Sequence, residues 1–125
     1  LNAVVTVTAM HAPDARVLVV DDDRDMRDTV AAALETEGYA VRCAENGAQA
    51  LALMRGYLPE AIVLDLSMPV MTGWELLEAV HEQRELREVP VLVLSALTAP
   101  AGVEHLDKPV SLDELLATLD RLCSG

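Results

Sequence analysis

The 125 residues make one domain the default, long enough to bury roughly two-thirds of the unfolded surface without disulfide or metal staples. Apolar residues make up 52% and charged residues 24%, the balance of a globular chain and not of a disordered one. Lys plus Arg number 9 against 21 Asp plus Glu, a net charge of −12 that speaks against a nucleic-acid or anionic-membrane surface, because phosphate would repel it.

In chain order, residues 1–14 carry Pro13 and little periodicity and read as a flexible tail, with the domain over 15–125. Arg16 to Val20 is a β-branched apolar run that ends in Asp21-Asp22-Asp23. From Arg24 to Glu37 the spacing of Met26, Val30, Ala33 and Leu34 predicts a helix, with Asp23 as its cap or an exposed acid and Gly38 placed to end it. Ala40 to Ala44 is a short strand. Asn46 caps a helix through Arg55, with Ala50, Leu51 and Met54 inward. Ala61 to Leu64 is an apolar strand ending at Asp65, and a loop from Leu66 to Gly73 follows. Trp74, Leu77, Val80 and His81 mark one face of a third helix, whose many glutamates form a solvated side. Val89 to Leu94 is a buried strand and Val103 to Leu106 a fifth. Ser111 with Glu114 makes a capping box for a last helix with Leu112, Leu115, Leu116, Leu119 and Leu122 as its stripe.

Strands that are apolar throughout, separated by amphipathic helices, argue for an α/β fold, a doubly wound five-stranded parallel sheet covered on both faces. Cys43 and Cys123 form no CxxC pair, and His11, His81 and His105 stand too far apart for a zinc motif. No apolar stretch reaches the length of a membrane span, and residues 1–13 lack the basic start of a signal peptide. A cytoplasmic setting is expected.

Function in such a sheet sits beyond the carboxyl ends of the strands. There the first strand delivers Asp21 and Asp22, the third Asp65, the fourth Ser95 and the fifth Lys108, followed by Pro109. Three clustered carboxylates repel one another, and a hard divalent cation with oxygen ligands, such as magnesium, relieves this. A carboxylate is also a nucleophile toward a phosphoryl group, whose equatorial oxygens then need a metal, a lysine and a hydroxyl to neutralise them. The set is coherent chemistry for accepting phosphate.

VLVVDDD at 17–23, AIVLDLSMPVMTG at 61–73, VPVLVLSA at 89–96 and DKPV at 107–110 resemble the receiver domain of bacterial two-component response regulators, of the chemotaxis-regulator-like kind, from about Arg16 to Cys123. The resemblance implies a flavodoxin-like sheet of order 2-1-3-4-5. It also implies that Asp65 is the phosphoacceptor, charged by a sensor histidine kinase or a histidine phosphotransfer protein. Asp21 and Asp22 then match the acidic pair that holds Mg2+ together with Asp65 and the backbone carbonyl of Ser67. Ser95 matches the switch hydroxyl and Lys108 the lysine that pairs with the phosphoacceptor. Pro109 matches the proline that follows a cis peptide bond from Lys108. Such a domain accepts phosphate and catalyses its own phosphorylation and dephosphorylation; it is not a turnover enzyme.

Two departures stand out. Where the family usually has a Tyr or Phe switch residue this chain has His105, smaller and able to titrate near neutral pH, which reads equally as a variant switch or as a plain surface residue. Residues 96–102 are also short for a parallel crossover, which normally takes about a dozen residues or more, and Pro100 and Gly102 oppose a helix. The family's fourth helix is therefore expected to be missing or reduced to a turn. The apolar surface this uncovers is covered either by repacking of the neighbours or by another chain, and the homodimer reading would be countered by a monomer at high concentration in solution scattering. With an unknown output protein as target, the chain reads as a stand-alone receiver or a piece of a larger regulator. A receiver-like binding module independent of phosphorylation is the alternative. Dehalogenase-type phosphatases want an acid where Ser67 stands. GxGxxG, phosphate-loop and nucleophile-elbow motifs are absent.

Overall fold

The structure is a computed structural model that describes residues 14–65, 73–95, 104–107 and 110–123. Among the described residues nine elements follow in order: β1 (Arg16–Val20), α1 (Arg24–Thr36), β2 (Ala40–Ala44), α2 (Gly47–Leu53), β3 (Ala61–Asp65), α3 (Gly73–Glu82), β4 (Val91–Ser95), β5 (Glu104–Asp107) and α4 (Leu112–Cys123). The strands form one parallel sheet of order β2-β1-β3-β4-β5, the expected flavodoxin-like winding.

Alternation along each strand explains why both faces are covered. Leu18, Val20, Ile62, Leu64 and Val93 point to one side, where Ala50 and Met54 of the α2 region and Leu76 and Val80 of α3 pack on them. Val17, Val19, Ala61, Val63, Leu92 and Leu94 point to the other, under Val30 and Leu34 of α1 and Leu115 and Leu119 of α4.

Helix ends follow local chemistry. The Asp23 side chain accepts the N–H groups of Asp25 and Met26, capping α1. At its other end Gly38 adopts φ 92°, so that its N–H reaches the Glu35 carbonyl and that of Tyr39 the Leu34 carbonyl. Glu37 is thus the cap and not the last helical residue. Asn46 accepts from Gln49 N–H at 2.8 Å, and Ser111 from Glu114 N–H at 3.3 Å.

Several boundaries differ from expectation. The second helix stops at Leu53, with Met54 as its cap, and does not reach Arg55. Among the described side chains of α3, Leu76 and Val80, one turn apart, are buried, with Leu77 half-buried against the same core, while His81 is exposed; the side chain of Trp74 lies outside the described residues. The fourth strand starts at Val91: the N–H of Val89 is taken by the Leu86 carbonyl in a turn, and Pro90 has no N–H to give. The fifth strand runs one residue later than expected, pairing Glu104 with Leu92 through Asp107 with Ser95. The tail over 1–13 and the segment 96–103 lie outside the described residues. The expected flexible tail, reduced fourth helix and homodimer opening fall in these segments.

Candidate functional site

The register brings the acids together. Val20 at the end of β1 pairs with Leu64 of β3, so the next residues, Asp21 and Asp65, stand side by side on neighbouring strands. Asp22 follows in the turn into α1. One carboxylate oxygen from each of the three lies within 4.8 Å of the others. Asp21 and Asp65 are only 3% and 4% exposed, whereas Asp22 is open to solvent.

The turn that carries Asp21 and Asp22 is held from several sides. The Asp21 N–H donates to the Ala44 carbonyl of β2 at 3.1 Å. Its Oδ1 accepts the N–H of Asp23 at 2.9 Å. Its carbonyl accepts from Nη1 of Arg27, also at 2.9 Å. Sequence reasoning passed over Arg27, because its partner is a main-chain oxygen and leaves no residue pattern. Arg27 also lies near Cys43 of β2. Burial pushes that thiol up, and the Arg27 charge works against the rise.

Of the other expected site residues, Ser95 ends β4 one residue beyond Leu94, the backbone partner of Asp65, so its main chain borders the acids. His105 sits in β5 opposite Val93, exposed and two residues short of the strand's end. Ser67, Lys108 and Pro109, with the cis peptide expected there, lie outside the described residues.

Oxygen donors grouped this closely, with an open third carboxylate, suit a hard divalent ion that keeps some of its water. A model of the response regulator receiver domain matches residues 17–120. The chain belongs to this family. The receiver domain is 37% identical over 116 residues to the response regulator MprA of Mycobacterium sp. (strain KMS), a match over 86% of this chain and 50% of that protein. The chain thus spans about half the length of such curated relatives. Among solved structures it resembles the chemotaxis response regulator CheY4 of Vibrio cholerae, with TM-score 0.80 and 37% identity, covering 86% of this chain and 98% of that one. It also resembles the response regulator protein TrrA of Thermotoga maritima, solved in complex with Mg(2+)-BeF, with TM-score 0.77 and 27% identity over 86% of this chain and 97% of that one. No helix among the described residues is long and apolar enough to cross a membrane.

Proposed function

We propose that this receiver domain accepts a phosphoryl group on Asp65 from a phosphohistidine, supplied by a sensor histidine kinase or a histidine phosphotransfer protein in the cytoplasm, and signals by protein contact. The observation that carries the reading is the grouping of Asp21, Asp22 and Asp65 within 4.8 Å, at the ends of adjacent strands. A carboxylate oxygen of Asp65 attacks phosphorus, the P–N bond to the donor imidazole breaks, and an acyl phosphate forms; hydrolysis later restores the carboxylate. Burial of Asp65 limits the water that reaches this bond.

Asp21, Asp22, Asp65 and the carbonyl of Ser67 are the residues that would hold Mg2+, which when bound supplies positive charge for the oxygens of the transferred group. The TrrA complex, with magnesium and a fluoroberyllate in a relative of the same fold, supports this. Lys108 and Ser95 are assigned to the phosphoryl oxygens, and His105 to the place of the family's aromatic switch. The phosphoryl group is carried by the protein itself between transfer and hydrolysis, so both steps are self-modification and not turnover of a separate substrate.

The test is intact mass after incubation with a small-molecule acyl phosphate. One phosphoryl group should appear on the wild type with magnesium, and none without the metal or on Asp65→Asn. No gain on a folded wild-type protein would refute the reading in favour of phosphorylation-independent binding.

A further inference from the structure

The carbonyl of Asp21 belongs to the peptide group that joins Asp21 to Asp22. Rotation about the Cα–C bond of Asp21, a soft backbone dihedral, swings this carbonyl and carries Asp22, the open acid of the three, away from its partners. Arg27 stands one turn into α1, half-buried, and its Nη1 donates to this oxygen at 2.9 Å. Its own N–H closes the first helical bond to the Asp23 carbonyl at 2.9 Å, so the clamp is anchored in the helix that the turn leads into.

We propose that Arg27 is a positioning residue for the divalent cation: it clamps the Asp21–Asp22 peptide and so keeps the Asp22 carboxylate with those of Asp21 and Asp65. This rests on the reading of the three acids as a metal centre. Charge and position act in opposite senses here. A guanidinium beside a cation site repels the cation, so by Coulomb's law alone its removal tightens binding. If the clamp dominates, removal weakens binding, and the sign of the change decides between them.

The experiment titrates the full chain with Mn2+, read by water proton relaxation and competed with Mg2+, for the wild type, Arg27→Met and Arg27→Lys. Methionine keeps an apolar stem and removes charge and donors. Lysine keeps the charge and loses the planar fork. Arg27→Met is expected to weaken Mn2+ about tenfold, the scale of one lost charge-assisted hydrogen bond. Arg27→Lys should fall between it and the wild type. Binding by Arg27→Met equal to or tighter than wild type would overturn the proposal. If Arg27→Met does not fold, judged by circular dichroism, Arg27→Lys decides alone: weaker binding supports the clamp and equal binding overturns it. A merely structural role would lower the melting temperature and leave the Mn2+ constant of the folded protein unchanged. A wild type with no saturable Mn2+ site would instead sink the metal-centre reading, and the clamp with it.

Discussion

The two ends of the β1–β3 pair handle charge in opposite ways. At the amino end the Glu60 carboxylate accepts the Arg16 N–H at 2.6 Å, the Glu60 N–H returns a bond to the Arg16 carbonyl at 2.7 Å, and the Arg16 guanidinium reaches the Leu58 carbonyl at 2.9 Å. Each charged group there meets a main-chain dipole of opposite sign. At the carboxyl end three like charges are gathered instead, two of them buried. The first arrangement stabilises the chain by itself. The second sets like charges against one another, and a cation held between them would relieve that repulsion.

Leu18, fully buried at the midpoint of β1, lies between these ends. Leu18→Ala should cost about 2–5 kcal/mol in urea unfolding, with or without magnesium, because a cavity there harms both ends alike. Magnesium at about a hundred times its dissociation constant should stabilise the wild type by about 2.7 kcal/mol, and Asp65→Asn should lose most of that gain. In metal-free buffer the same variant should be more stable than wild type by on the order of 1 kcal/mol, since one of three neighbouring like charges is gone. A less stable metal-free variant would show that the hydrogen bonds of the carboxylate outweigh its repulsion.

At the amino end, Glu60→Gln should lower stability by under about 1 kcal/mol and leave the metal affinity unchanged, because the pair is solvent-exposed and a strand's length away. Any change in Mn2+ binding would mean that the two ends are coupled through β1 and β3. A separate effect is expected on alkaline stability. Burial, then the charges of Glu60 and Asp120, push the Cys123 thiol up to about 11. The unfolded thiol ionises first, so the folded state holds the extra proton and stability falls as pH rises from about 9 toward 11. Melting curves of Cys123→Ala should show a shallower decline over that window. Tyr39, pushed up by burial and by its bond to Asp120 at 2.7 Å, adds to the decline in both proteins.

The fold was legible because its signals are local. Apolar runs four or five residues long, interrupted by helical periodicity, imply a parallel sheet whatever the details of packing. Asp23, Asn46, Gly38 and Ser111 mark helix ends by bonds that reach only a few residues. The three acids could be singled out because Asp65 ends β3 and Asp21 and Asp22 come just after β1, and register then places them together. On α3 the expected Val80 and Leu77 do pack on the core, but Leu76 was passed over and His81 is exposed, because Leu76 and Leu77 both suit a buried helix position and only contact with the sheet decides how deep each one sits. The start of β4 was misread because an apolar run does not show that the Val89 N–H is spent in a turn.

The sequence by itself thus determined the element types, the order of chemistry-bearing residues and the location of the acids at strand ends. Tertiary structure alone decided which two acids are buried and which stays open. It also decided that the Tyr39 hydroxyl meets Asp120, 81 residues away, and that the Arg27 guanidinium ends on a main-chain oxygen of Asp21. The physical reason is range. Periodicity and capping act over three or four residues, whereas burial and long side-chain reach are set only when the helices settle against the sheet.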